Sequence, residues 1–178
     1  MLQECSVWNI ARIFFNEPTK QHYLMEISKK SKIAHTSVKQ HIIKLKKSSI
    51  IKEFLDKKGS RNFPVYKADL DSKEYRKYKR IYNLISIEES GLTDFLNDKL
   101  MPKCIILFGS YFRGEDTEDS DIDLFVECKK KEIDLNRFKK YLSRKIEIHF
   151  NDNFNNYQKE LKNNIINGIV LRGYLEAF

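Results

Sequence analysis

The residues whose types and spacing could do chemistry gather in the second half of the chain. Asp121-Ile122-Asp123-Leu124-Phe125-Val126 alternates as a strand does, which puts Asp121 and Asp123 on one face and Ile122 and Leu124 on the other. Two carboxylates about 4 Å apart at an effective dielectric near 20 repel by about 4 kcal/mol. A divalent cation is the natural means of keeping both ionised in a cleft, and oxygen ligands facing a phosphate favour Mg²⁺. Lys145-Ile146-Glu147-Ile148-His149-Phe150 alternates in the same way, with Ile146, Ile148 and Phe150 on one face and Glu147 on the other. Glu147 is therefore the candidate third acid, as general base or orienter of an attacking hydroxyl. His149 shares its face and reads as an ordinary strand histidine.

Upstream, Cys104-Ile105-Ile106-Leu107-Phe108 is an apolar run without a polar break, suited to a strand buried on both faces, and Gly109-Ser110 ends it. A glycine there lets the main chain approach a ligand closely, and a serine offers its hydroxyl and N–H to a phosphate. A short helix opening at Tyr111-Phe112-Arg113 would aim free N–H groups at the same spot. The acidic stretch from Glu115 to Asp119 reads as a solvated loop.

The pattern G-S, ten residues, D-x-D and a third acid on a later strand resembles the minimal nucleotidyltransferases of the DNA polymerase beta superfamily. The resemblance implies that Gly109, Ser110 and Arg113 bind the nucleotide's phosphates. It implies Asp121 and Asp123 as Mg²⁺ ligands, with Glu147 standing where the family commonly has aspartate. The implied reaction moves a nucleoside monophosphate, AMP from Mg-ATP foremost, onto a hydroxyl. Minimal nucleotidyltransferases often act as antitoxins that nucleotidylate a small helical HEPN-type ribonuclease, so such a protein partner is one implied acceptor. A nucleic-acid end and a small molecule are the others.

These residues need a scaffold, and the sequence predicts two domains. Residues 1–70 read as three helices followed by a β-hairpin. The helices run from Glu4 to Phe15, from about His22 to Lys29 and from Thr36 to Lys47, the third with Val38, Ile42 and Leu45 inward. The hairpin has strands at 50–55 and 63–68 and a polar tip at 56–62. This order resembles a winged helix-turn-helix domain, which implies duplex DNA as partner, with Thr36, Lys39 and Gln40 on the third helix and Lys57, Lys58 and Arg61 on the wing. Residues 71–90 read as a connecting helix with Tyr75, Tyr78, Tyr82 and Ile85 in a stripe that packs on a domain or pairs with its copy in a homodimer. Residues 91–178 are the polymerase-beta-like nucleotidyltransferase domain, a small mixed sheet flanked by helices, with helices at 92–100, 134–143 and 153–167 and a last short strand at 169–171. The fold class is α+β and α/β in two domains.

Charge follows the same division. Of the net +8, residues 1–70 carry 14 Lys and Arg against 6 Asp and Glu, whereas residues 104–178 carry 12 against 13. A basic surplus confined to one domain points to nucleic acid. Arg137, Lys139, Lys140, Arg144 and Lys145 read as the solvated side of a helix. The 3 cysteines, Cys5, Cys104 and Cys128, read as reduced core residues. The absence of a long apolar run and of a leader-like N-terminus leads to the expectation of a cytoplasmic protein without membrane association. A rival function fits the same residues: a DNA-binding transcription regulator whose nucleotidyltransferase-like domain binds nucleotide without turnover.

Overall fold

The computed structural model describes residues 5–151, 154 and 157–176. The chain forms two compact units, Met1–Lys79 and Arg80–Phe178. The long helix α4 (Lys73–Ser90) begins in the first and ends in the second. No helix among the described residues is long and apolar enough to cross a membrane.

In the first unit, α1 (Ser6–Asn16) buries Ile10, Ala11, Ile13, Phe14 and Phe15; the expected start at Glu4 lies outside the described residues. The second helix begins later than its sequence suggests. His22 and Tyr23 form a short strand, β1 (His22–Tyr23), antiparallel to β3 (Arg61–Ala68) through the pairs His22↔Tyr66 and Tyr23↔Val65. Only then does α2 (Leu24–Ser31) start. Helix α3 (His35–Lys47) buries Val38, Ile42 and Leu45, as its periodicity predicts, and leaves Thr36, Lys39 and Gln40 exposed.

The hairpin strands β2 (Ile51–Lys58) and β3 pair in register from Ile51↔Ala68 to Lys58↔Arg61. Its tip is thus Gly59-Ser60, shorter than the expected polar loop, and the sheet order is β1-β3-β2. At the start of α4 the Tyr75 hydroxyl donates to Phe14 O at 3.1 Å and Lys79 Nζ to Phe15 O at 2.6 Å. Both groups engage carbonyls of the last turn of α1, the positions that a helix cannot satisfy internally. The expected tyrosine stripe is accordingly corrected: Tyr75 and Tyr82 are buried, Tyr78 is exposed, and Lys79 and Asn83 are buried beside them.

The second unit is built on β4 (Cys104–Phe108), β5 (Ile122–Glu127), β6 (Ile146–Asn151) and β7 (Ile169–Gly173), in the order β6-β5-β4-β7. β4 is antiparallel to both β5 and β7, whereas β5 and β6 are parallel and joined through α7 (Asn136–Leu142). All of β4 is buried, and its residues alternate between two cores. Ile105 and Leu107 join Ile122, Leu124, Val126 and Ile146 under α5 (Leu92–Leu100) and α7. Cys104, Ile106 and Phe108 join Phe125, Phe154 and Ile165 under α8 (Lys159–Ile166). Each fully buried Leu, Ile or Phe contributes about 1.5–3 kcal/mol by leaving water, so the two-sided burial of β4 fixes its register firmly. Part of the helix expected from position 153 lies outside the described residues, and the helix that is described starts at Lys159.

Candidate active site

The end of β4, the start of β5 and the start of β6 meet at one rim of this sheet. Phe108 pairs with Asp123 across the antiparallel ladder, so Gly109 arrives directly against the aspartate. Gly109 has φ +74°, and a Cβ placed there would run into Asp123 Oδ2. Only glycine tolerates both conditions. The chain then turns into the single helical turn α6 (Gly109–Arg113), which starts two residues earlier than the sequence suggests.

On the other side of β5 the parallel register pairs Asp123 with Glu147. Ile146 is buried in the opposite core, so Glu147 faces away from the interior with its side chain 47% exposed. Asp121 precedes β5 and is brought to the same rim by Lys145, whose Nζ lies 3.0 Å from Asp121 Oδ2 and 3.7 Å from Glu147 Oε2. The hydrogen bond to Asp121, with the charges of both acids, raises the Lys145 pKa above its usual value. His149 completes the group, with Nε2 3.8 Å from Asp123 Oδ1 and 3.9 Å from Glu147 Oε1. Its ring lies over Phe108 with centroids 5.3 Å apart. Thus Gly109, Asp121, Asp123 and Glu147 are gathered as their sequence spacing predicts, and two basic residues are gathered with them.

The sequence alone gives neither of the two a partner. Lys145 counts there as part of a solvated helix face, yet it stands one residue before β6, and the i, i+2 pleat that exposes Glu147 also aligns Lys145 and His149. Arg113 is exposed, and its Nε donates to Glu115 Oε2 at 2.7 Å. Ser110 is half-buried at the start of α6.

The acidic loop after α6 also departs from expectation. Asp116 is 1% exposed: Asn83 Nδ2 donates to its Oδ1 at 2.7 Å and to Tyr111 O at 2.7 Å, and Arg144 Nη2 lies 3.7 Å from its Oδ2. Arg144 is buried as well. Burial, reinforced by the Asp116 charge, pushes the Tyr111 phenol far above its usual pKa.

The cysteines do not belong to this rim. Cys5 is exposed, against the expectation of a core residue, whereas Cys104 is buried and its thiol donates toward Glu127 Oε2 at 3.7 Å. Burial and the Glu127 charge push Cys104 up to about 12, which leaves it protonated and unreactive at neutral pH.

Among the described residues, one group of acidic and imidazole side chains has its ligand atoms all within 4.8 Å of one another: Glu17, His22 and Glu26, in the first unit. Lys20 and Lys30 already neutralise that pair: Lys20 Nζ lies 2.9 Å from Glu17, and Lys30 bonds to both glutamates. His22 Nδ1 lies 2.9 Å from Glu26. The group is an ion-pair knot tying the end of α1 to β1 and α2. In the same unit Thr36, Lys39, Gln40, Lys57, Lys58 and Arg61 are all exposed, and Lys58 Nζ sits 4.2 Å from the centre of the Tyr23 ring.

Residues 91–174, the stretch that carries the rim, match the family described as polymerase beta, nucleotidyltransferase. A stretch of 32 residues is 66% identical to part of a protein of Methanocaldococcus jannaschii described as a "putative protein adenylyltransferase". That match covers 18% of this chain and 32% of the relative, so the chain corresponds to about a third of that protein's length. No solved structure matches the chain.

Proposed function

We propose that the nucleotidyltransferase domain transfers AMP from ATP onto a hydroxyl acceptor, with Asp121, Asp123 and Glu147 holding a divalent cation such as Mg²⁺. The observation that carries this is the double register at Asp123, which pairs with Phe108 on one side, against the Gly109 corner, and with Glu147 on the other. Asp121 and Glu147 already face one positive centre, the Lys145 ammonium, at 3.0 and 3.7 Å, and the three carboxylates, which do not all lie within 4.8 Å of one another, would have to draw together around a cation. When bound, the cation would supply charge neutralisation of the triphosphate and of the transition state.

The chain's own groups do the rest. Gly109 admits the triphosphate to the corner, Ser110 offers it a hydroxyl and an N–H, and Arg113 offers charge once released from Glu115. Glu147, with the more exposed side chain of the acids flanking β5 and β6, accepts the acceptor's proton as its oxygen attacks the α-phosphorus. The bond from that phosphorus to the bridging oxygen then breaks, and pyrophosphate leaves. In the double variant Asp121→Ala/Asp123→Ala, transfer from α-labelled ATP should fall at least about a thousandfold, with the circular dichroism spectrum retained. Unchanged labelling would reject the assignment.

For the acceptor we favour a protein hydroxyl, by analogy with the relative's description, and a HEPN-type ribonuclease partner as its bearer. Copurification of a small helical protein carrying an AMP mass increment tests this. The three helices, short strand and hairpin of the first unit are consistent with a winged helix-turn-helix that binds duplex DNA. The Lys145 contacts also favour a second reading, in which the ammonium permanently neutralises the acids and nucleotide is bound as a signal without turnover. Pyrophosphate release in the presence of Mg²⁺ distinguishes the two.

A further inference from the structure

We propose that the Lys145 ammonium is the resident counter-ion of the acidic rim, and that it leaves Asp121 and Glu147 when a divalent cation enters with the nucleotide, taking the polyphosphate as its new partner. This rests on the nucleotidyltransferase reading and gives the site a reason to accept cation and nucleotide together.

The position of the ammonium follows from the fold. Lys145 stands immediately before β6, and its main chain is pinned, because its carbonyl accepts from Ile122 N at 2.8 Å at the start of β5. The residues on either side are buried, Ile146 in the core and Arg144 beside Asp116. The side chain itself is 65% exposed and reaches Asp121 Oδ2 at 3.0 Å and Glu147 Oε2 at 3.7 Å. A fixed root under a solvated, flexible stem lets the charged head move while the strand stays where it is.

Charge gives that position its consequence. Lysine is an ammonium at neutral pH, and contact with two carboxylates favours the charged form further. A divalent cation bound by the same acids would lie within about 4 Å of it, a range at which like charges repel even in water. The acids therefore serve the ammonium or the cation, and not both at full strength. A displaced ammonium gains most where it meets another anion. The ladders that end at Phe108↔Asp123 and Ile122↔Ile146 bring the Gly109 corner and Lys145 to the same end of β5, so the triphosphate placed at that corner is such an anion. By linkage, one side chain then weakens binding of the cation alone and strengthens binding of cation and nucleotide together.

The test is titration of the full chain at low salt with two ligands. Mn²⁺ alone is followed by the loss of its free electron paramagnetic resonance signal, and the Mn²⁺ complex of a non-hydrolysable ATP analogue by calorimetry. In Lys145→Met, Mn²⁺ alone should bind at least about tenfold tighter, because one opposing charge is gone. The analogue complex should bind at least about tenfold weaker, because one charged phosphate contact is gone. Lys145→Arg keeps the charge and should leave the affinity for Mn²⁺ alone within about threefold of the unaltered chain. The opposite signs in Lys145→Met are the signature, since a lysine with a merely structural role has no reason to produce them. An unchanged affinity for Mn²⁺ alone means that the ammonium does not compete with the cation. A shift of both affinities in one direction means that it does not pass to the phosphates. Either result overturns the inference and leaves the carboxylate assignment intact. Mn²⁺ binding that is indifferent to Asp121→Ala/Asp123→Ala overturns the reading of the site itself, and the inference with it.

Discussion

Gly109 is where backbone conformation and chemistry constrain one residue together. Its φ of +74° lies in the left-handed region, which costs any L side chain about 1–2 kcal/mol. The place a Cβ would take is already filled by the Asp123 carboxylate. Gly109→Ala must therefore either turn the main chain or displace Asp123, and either change opens the corner where the proposed phosphate and cation sites meet. The fold rests on the two cores of the sheet, which the substitution leaves alone. The expected result is a small loss of thermal stability with AMP transfer reduced at least about a hundredfold, in line with the sensitivity of transfer reactions to sub-ångström placement. Calorimetry beside initial rates from labelled ATP separates the two effects. Transfer within a few-fold of the unaltered chain would mean that Asp123 is not held by this corner.

At the scale of elements, the site depends on how the loop between α6 and β5 is held. Asp116 anchors it, through Asn83 on α4 and Arg144 just before β6. A buried carboxylate facing a guanidinium and an amide is strongly coupled to both, and removing one member of such a group costs about 3–5 kcal/mol. Asp116→Ala should lower the unfolding free energy of the second unit by about that much in urea titration, and a loss under about 1 kcal/mol would mean the loop is held by other contacts. This anchor was invisible in the sequence. Glu115 to Asp119 looks like solvated acid because Asp116's amide partner lies 33 residues away.

The same limit explains the other misreadings. His22 has a helical neighbourhood, but its backbone pairs with Tyr66 on a strand far along the chain. Lys79 is a basic residue and yet buried because it caps α1 across 64 residues. By contrast the apolar run of β4, the alternation of β5 and β6, and the acids Asp121, Asp123 and Glu147 were legible, because pleat and burial act on neighbours. Lys145 and His149 were legible in position only, since nothing local says which basic residue will meet an acid on the next strand.

At the scale of the whole molecule the charge is unevenly divided along the chain. The first 70 residues carry 14 basic against 6 acidic side chains, and the hairpin places two of the former directly opposite each other at Lys58↔Arg61. Like charges facing across an antiparallel ladder destabilise it by a few tenths of a kcal/mol, up to about 1. A polyanion facing the hairpin would offset that repulsion. If the hairpin meets DNA phosphates, each contact contributes about 0.9 to the slope of log affinity against log salt. Replacing Lys57, Lys58 and Arg61 with glutamine should flatten that slope by up to about 2.7. Lys58 falls toward the lower share, because its ammonium already rests on the Tyr23 ring. The melting temperature of the variant should stay level or rise, since the facing charges are gone. Fluorescence anisotropy on duplex DNA between about 50 and 200 mM salt, with melting curves alongside, measures both quantities. An unchanged slope in a folded triple variant would take the hairpin out of the interface, while a falling melting temperature would mean that these cations serve the fold and not a ligand.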